Sequence, residues 1–204
     1  RVVSAVLLCV LAIGVLSWAN FQMDTRWKHF IETVEIAWEI DQYRAWTDPK
    51  GLSLPLMQNG EPVEPSAYSR IAWIHAGLRL WADYPLGVGY GRNAFGHALR
   101  KTTDTPLGHA HSGWVDLGIG AGIPGLLFFG SIMMSFFILG LKRYFHQNDP
   151  LGLVLALLAA GYAGRLVLDS VNRDHMLMLY FFFVGLLSVL SLSPDLPKST
   201  DSDA

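Results

Sequence analysis

Long apolar stretches alternate with polar segments along the chain, and four of these stretches have the length of a membrane helix. About 20 apolar residues in a helix cross the hydrocarbon core of a bilayer. Helices are expected because lipid offers no partners to backbone N–H and C=O groups. The pattern therefore predicts an all-α, polytopic integral membrane protein. The predicted order is transmembrane helix 1–19, large outer loop 20–112, transmembrane helix 113–141, loop 142–150, transmembrane helix 151–170, turn 171–175, transmembrane helix 176–193 and a disordered tail 194–204.

The few basic residues between the apolar stretches predict the orientation of the chain in the membrane. Lys142 and Arg143 lie in a short loop, which we therefore expect on the cytoplasmic side. Counting the spans from that loop places Arg1 and Lys198 on the same side. The large loop 20–112 then lies on the outer side of the membrane.

Composition supports the membrane assignment and narrows the possible partners. Hydrophobic residues make up 51% of the chain and charged residues only 16%, which is too apolar for an ordinary soluble domain. The formal net charge of -2 argues against nucleic acid as a partner, so membrane lipids are the expected surroundings. Cys9 is the only cysteine, so no internal disulfide is expected. Since the first residue is Arg1, we expect the chain to be the C-terminal part of a longer protein.

The outer loop divides into two halves of opposite charge. Residues 24–67 carry four Lys or Arg and eight Asp or Glu, whereas residues 68–112 carry five Lys or Arg and two Asp. An anion site is therefore expected in the second half. In the first half, Trp27, Ile31 and Trp38 recur at helical spacing. They predict an amphipathic helix that either lies on the membrane surface or packs on the rest of the loop.

A second helix is predicted over residues 68–83, with Ser66 as a possible cap. Arg70 falls on the same face of this helix as Trp73 and Trp81. Burial of an unpaired guanidinium on an aromatic face is costly. Arg70 must therefore extend to water, stack on a tryptophan or meet an anion.

The glycine-rich stretch "PLGVGYGRNAFG" follows that helix. It is not a dinucleotide fingerprint, because the glycine spacing differs and no βαβ unit surrounds it. It is not a P-loop, because no Gly-Lys-Ser/Thr follows. The glycines predict tight turns that let the backbone approach another part of the protein. Arg92 either contributes to an anion site here or is a solvated loop residue.

His109 and His111 flank one alanine at the start of the second predicted span. Two histidines alone are a weak metal signal, because zinc needs three or four ligands. No nucleophile for a catalytic triad is evident either. Ser112 is a good N-cap, which places His111 at the outer end of the helix. The helix dipole there favours a neutral imidazole, which is suited to general-base work; the alternative is a plain hydrogen bond at the interface.

These residues resemble the signature of the O-antigen ligase family. The match consists of His111-Ser112, nine residues, Gly122, two residues and Gly125. The preceding "SRIAWIHAGLRLWADYPLGVGYGRNAF" is similar to the family's segment between its large periplasmic loop and the histidine motif. The order of one span, a large loop, the motif and three more spans also resembles the C-terminal part of the family.

The resemblance implies a GT-C-like membrane glycosyltransferase of the bacterial inner membrane with a helical periplasmic loop and its site on the periplasmic side. It would move O-antigen glycan from undecaprenyl diphosphate to lipid A–core, with inversion and without a metal or other cofactor. His111 would be the catalytic base, and Arg70 would be the arginine near the end of the periplasmic loop that engages the diphosphate. From the residues themselves we expect Arg92 to add a further contact to the diphosphate and Ser112 to support the site. A second essential arginine of the family lies in an earlier loop that this chain does not contain, so the chain alone is expected to be inactive.

Two further residues have alternative roles, and three other functions are alternatives to a ligase. Arg165 and Asp169 lie four residues apart at the outer end of the third span, as a structural ion pair or as substrate contacts. Within the superfamily, the alternatives are an O-antigen polymerase and a protein O-oligosaccharyltransferase, which differ in their acceptor. The alternative from another class is an anion transporter, which would be expected to use broken helices near the middle of the membrane.

Overall fold

A computed structural model describes residues 2–23, 25–89, 91–172 and 174–190 of the chain. The regular secondary structure in these ranges is helical. No β-strand occurs in these ranges, and Leu56 and Pro62 form an isolated bridge. The all-α prediction is therefore confirmed. The helices are α1 (Val2–Met23), α2 (Thr25–Trp38), a short 3-10 helix (Arg44–Thr47), α3 (Pro65–Asp83), α4 (Ala94–Leu99), α5 (Gly113–Gln147), α6 (Pro150–Leu168) and α7 (Asp174–Leu190).

Two of the described helices, α5 and α6, are long and apolar enough to cross a membrane. Two shorter apolar segments, Leu11–Phe21 and His175–Leu190, overlap the other two predicted spans. The number of four spans and the GT-C class therefore stay predictions. The predicted tail 194–204, with Lys198, and residue Arg1 lie outside the described residues.

The chain folds as two compact units, Arg1–Ala76 and Gly77–Ala204. The first unit has an aromatic core in which Trp46 and Trp73 are buried. The indole N–H of Trp73 donates to the carbonyl oxygen of Trp46 at 2.9 Å. Tyr68 is fully buried beside them, and burial raises the pKa of its hydroxyl, which therefore stays a neutral donor.

The start of α3 differs from the prediction that Ser66 caps it. The helix begins at Pro65, and proline suits a first helical position because its missing N–H needs no partner there. The carboxylate of Glu64 accepts the backbone N–H groups of Ser66 and Ala67 instead. Glu64 therefore caps the helix, and Ser66 already lies in its first turn.

The predicted apolar stripe of α2 is partly exposed, and Trp38 within it stacks on the ring of His75 in α3 at a centroid distance of 4.3 Å. Trp27, Ile31 and Trp38 keep 42%, 41% and 47% of their surface exposed, whereas Thr33 and Ala37 on another face are buried. Since Trp38 packs on α3 and Trp27 and Ile31 are exposed, the membrane-surface helix and the packed helix both stay predictions.

The second unit packs α5, α6 and α7 around an apolar core. Leu155 and Leu166 of α6 and Val184 of α7 are almost completely buried in it. Glycines allow the backbones of α5 and α6 to approach closely, because a Cβ on Gly140 would lie 2.6 Å from the carbonyl oxygen of Gly152. Small residues at a helix contact are typical of helices packed in lipid.

Helix α5 is broken at Gly122. This residue has φ 70° and ψ -176°, a conformation that essentially only glycine adopts. Pro124 follows two residues later and has no N–H to give to the carbonyl oxygen of Gly120. The helix therefore consists of a short half before Gly122 and a long half after it, and the break frees several backbone groups.

A backbone segment, residues 85–89, fills the break, and we call it the strap. The N–H groups of Val88 and Gly89 donate to the carbonyl oxygens of Ile119 and Gly120 at 2.9 and 3.0 Å. In return the N–H of Ile123 donates to the carbonyl oxygen of the strap's first residue at 2.9 Å. The predicted close approach of the glycine-rich stretch is thus observed, and its target is the break in α5.

Replacement of Gly122 by alanine is expected to destabilise the fold. A Cβ there would lie 2.4 Å from the backbone carbonyl carbon of Leu86 and would impose a strained φ. We expect Gly122→Ala to lower the free energy of unfolding by at least about 2 kcal/mol. The measurement is the thermal unfolding midpoint of the detergent-purified protein that contains this chain.

Gly130→Ala is the matched control in the same helix, because a Cβ at Gly130 meets nothing within 4 Å. Its unfolding midpoint should equal or slightly exceed that of the parent, since alanine favours helix. Equal midpoints for the two variants would contradict the requirement for glycine at the break.

Candidate active site

The two histidines of the motif lie in a loop directly before α5, and the structure brings their rings together. The ring centroids of His109 and His111 are 4.1 Å apart at an angle of 39°. His111 has φ 51°, in the left-handed region that non-glycine residues adopt rarely. Both side chains are half-buried, so a substrate can reach them. We call residues 108–112 the histidine loop.

Ser112 occupies the N-cap position of α5, as the sequence predicts, but its hydroxyl does not cap the helix. No hydrogen bond joins that side chain to the first turn. Its Oγ donates instead to the carbonyl oxygen of Leu166 in α6 at 3.3 Å. The expected role of the side chain is corrected accordingly: Ser112 ties the start of α5 to α6.

Asp116 lies in the first turn of α5, and its carboxylate reaches back to the histidine loop. The side chain is buried, with 8% of the residue exposed. Its Oδ1 accepts the backbone N–H of Ala110 at 2.9 Å, and its Oδ2 accepts the hydroxyl of Ser170. An acidic group near a helix N-terminus is favoured by the helix dipole. Asp116 therefore connects the loop before α5 to the turn after α6.

That turn, residues 169–172, is hydrogen-bonded to the start of α5. The backbone N–H of Gly113 donates to the carbonyl oxygen of Asp169 at 3.0 Å, and the amide of Asn172 donates to the carbonyl oxygen of Gly113 at 3.2 Å. The hydroxyl of Tyr162 holds the turn through the carbonyl oxygen of Val171 at 2.7 Å. The first residue of α5 is thus fixed by two bonds from the α6–α7 turn.

Arg165 and Asp169 form the ion pair that their four-residue spacing predicts. Their side-chain N–O distance is 2.9 Å, and the side chains are 59% and 40% exposed. Asp169 also accepts the backbone N–H of Ser170 at 2.8 Å. Asp169 therefore makes two contacts, the hydrogen bond within the turn and the ion pair with the exposed Arg165.

Arg70 extends to water, which is one of the three alternatives that its position on the aromatic face of α3 left. The buried stripe in the first unit runs through Tyr68, Ala72 and Ala76, whereas Arg70 is exposed. Trp73, on the same predicted face as Arg70, is buried as well, so Arg70 holds an exposed position on a partly buried face. Arg70 reaches solvent, and Arg92 in the second unit is exposed as well.

No group of three metal-ligating side chains occurs within the described ranges. His109 and His111 supply two imidazoles, which is fewer than a zinc site takes. Sequence reasoning did not single out Asp116, Ser170 or Asn172. The available signal was Asp116 itself, a carboxylate at the head of an otherwise apolar helix.

Comparison with known proteins gives one match. A family model described as O-antigen ligase matches residues 1–130, which include the histidine loop, the strap and the break in α5. Neither the curated proteins nor the solved structures contain a match to the chain.

The two partners of the exposed ion pair are expected to differ in their effect on stability. Arg165→Met removes only an exposed pair and should lower the free energy of unfolding by less than about 1 kcal/mol. Asp169→Ala also leaves the N–H of Ser170 without its acceptor and should cost about 1 kcal/mol more. Denaturation of the purified protein measures both. Equal losses would show that the bond within the turn contributes nothing.

Proposed function

The chain belongs to the O-antigen ligase family, and we propose that it is the part of a membrane glycosyltransferase that transfers O-antigen glycan from undecaprenyl diphosphate to lipid A–core. On this proposal the enzyme works in lipopolysaccharide synthesis at the periplasmic face of the bacterial inner membrane. Two helices long and apolar enough to cross a membrane support a membrane location. The family membership supports ligase-type chemistry at the coarse level.

His111 is the proposed general base. The acceptor hydroxyl loses its proton to the imidazole as its oxygen attacks the anomeric carbon of the glycan. The bond between that carbon and the diphosphate oxygen breaks, and undecaprenyl diphosphate leaves with the bonding electrons. A single displacement of this kind inverts the anomeric centre and needs neither metal nor nucleotide.

The observation that carries this proposal is the way in which His111 is held. The residue is half-buried in a left-handed conformation, beside the ring of His109, at the entry of α5. Strained backbone of this kind persists only where the surrounding structure holds it in place, and it is found preferentially at active sites. The N-terminal end of a helix also favours the neutral form of an imidazole, which is the form that accepts a proton.

Arg70 and Arg92 are the proposed ligands of the diphosphate. A guanidinium presents N–H donors in a planar fork that matches phosphate oxygens, and it stabilises the charge of the leaving group. Both side chains are exposed and hence accessible to a ligand. Their assignment rests on the family resemblance and on this chemistry.

An O-antigen polymerase and a protein O-oligosaccharyltransferase are alternatives that would use the same histidine chemistry. They differ from a ligase in the acceptor, which is a growing glycan in one case and a protein hydroxyl in the other. The product therefore separates them: loss of glycan on lipid A–core identifies a ligase, loss of long glycan chains a polymerase, and loss of glycoprotein an oligosaccharyltransferase.

One observation favours the alternative of an anion transporter, namely that α5 is broken at Gly122. In transporters with broken helices, the N-terminus of a half-helix points at the anionic group, and unwound carbonyl oxygens coordinate a coupling cation. Here the N–H of Ile123, after the break, donates to the strap, and the carbonyl oxygens of Ile119 and Gly120 accept hydrogen bonds from it. A break that is filled by protein backbone supports a structural role better than an ion site.

Replacement of His111 tests the proposed base. In the full-length protein, His111→Ala should lower the rate of glycan transfer by about 10²- to 10⁴-fold, the usual contribution of a general base. The measurement is glycan on lipopolysaccharide, together with accumulation of the lipid-linked donor.

The control is His97→Ala, because His97 is an exposed histidine in the same unit and has no role in the proposed chemistry. This variant should transfer glycan at the parental rate. Normal transfer by His111→Ala would remove the base assignment.

Replacement of Arg70 by lysine tests diphosphate recognition. Lysine keeps the charge but loses the two-pronged contact, so the KM for the donor should rise about tenfold. Arg79→Lys, at another exposed arginine of α3, is the control and should leave the KM unchanged. Equal KM values for the two variants would show that Arg70 does not bind the diphosphate through a planar fork.

A further inference from the structure

The buried carboxylate of Asp116 receives two donors from two different parts of the chain. The N–H of Ala110 comes from the histidine loop, and the hydroxyl of Ser170 comes from the α6–α7 turn. A carboxylate accepts hydrogen bonds at both oxygens and donates none, so it suits two converging donors. Hydrogen bonds to a charged acceptor are also stronger than those between neutral groups.

The segment that Asp116 holds contains the strained residue His111. A left-handed conformation is unfavourable for a non-glycine residue, so it persists only where the flanking backbone is fixed on both sides. On one side, Ala110 is fully buried and bonded to Asp116. On the other side, the N–H of Gly113 is bonded to the carbonyl oxygen of Asp169. Asp116 joins these two sides, because it also bonds to Ser170, the residue next to Asp169.

We infer that Asp116 is a positioning residue for His111. By fixing the backbone of Ala110, it holds the two flanking imidazoles in the ring contact of 4.1 Å and presents His111 to substrate in one orientation. The inference rests on the proposed function, in which His111 takes the acceptor proton. It gives Asp116 no direct contact with substrate, so its effect acts through the histidine loop.

The geometry predicts different results for two replacements of Asp116. Asparagine keeps one oxygen for the N–H of Ala110, and its amide N–H can donate to Ser170, whose hydroxyl accepts as well as donates. Alanine removes both acceptors and leaves the N–H of Ala110 buried without its partner. Both variants therefore lack the negative charge, and they differ in whether the hydrogen bonds to Ala110 and Ser170 are kept.

The test compares the two variants in the purified full-length protein, with undecaprenyl-diphosphate-linked glycan as donor and lipid A–core as acceptor. Asp116→Ala should lower kcat by about 10- to 100-fold, the effect of a misplaced catalytic group, and leave the KM for the donor within about twofold. Asp116→Asn should restore most of the lost rate. Asp104→Ala, at an exposed carboxylate before the histidine loop, is the control and should behave as the parent does.

Two outcomes of this comparison overturn the inference. A kcat of Asp116→Ala within twofold of the parent shows that the carboxylate does not position the base. An Asp116→Asn variant as slow as Asp116→Ala shows that the charge acts by itself. If Asp116→Ala does not accumulate as folded protein, Ser170→Ala is measured instead, because it removes the hydrogen bond between the α6–α7 turn and Asp116. A fall in kcat at constant KM supports the inference, and an unchanged kcat overturns it.

A chemical readout separates this inference from the proposed function. Diethyl pyrocarbonate modifies accessible imidazoles, and mass spectrometry gives the rate at His111. Asp116→Ala should raise that rate severalfold and Asp116→Asn should not; equal rates in all three proteins overturn positioning. Full transfer activity of His111→Ala would contradict the assignment of His111 as the base. Full activity of Asp116→Ala together with an inactive His111→Ala would contradict only the positioning role of Asp116.

Discussion

The second unit depends on the hydrogen bonds that fill the break in α5. A helix that stops at a glycine and resumes at a proline leaves carbonyl and N–H groups without helical partners, and apolar surroundings supply none. The strap makes three hydrogen bonds to these groups, two through the N–H groups of Val88 and Gly89 and one through the carbonyl oxygen of Pro85. The short half of α5 is thereby fixed at its C-terminal end, although it is no longer part of one continuous helix.

This constraint gives a physical meaning to the spacing of the histidine motif. The nine residues between Ser112 and Gly122 are the short half of α5, about 14 Å at 1.5 Å per residue. The strap fixes one end of this half-helix, and the α6–α7 turn with Asp116 fixes the other. His111 lies directly before a segment that is held at both ends, and a fixed backbone of this kind is what the proposed base requires.

Sequence reasoning identified the helical elements, the close approach of the glycine-rich stretch and the pairing of Arg165 with Asp169, since each depends on local chemistry or spacing. It left the surroundings of Arg70 open, because periodicity defines an apolar face only to within the width of the stripe, and the residues that pack against α3 decide which part is covered. It was wrong about the hydroxyl of Ser112, which had a partner in α6 that no local pattern reveals. The residue roles and the four spans stay predictions.

The sequence by itself determined the fold class, the family and the position of the histidines at the head of an apolar helix, because hydropathy, helix breakers and motif spacing are properties of neighbouring residues. Only the tertiary structure decided where α5 breaks, what fills the break and how His111 is held. The reason is that these features join groups far apart in the chain, such as Asp116 and Ser170, 54 residues apart. The hydrogen bonds of Asp116 form only when the folded chain brings Ala110 and Ser170 to its carboxylate.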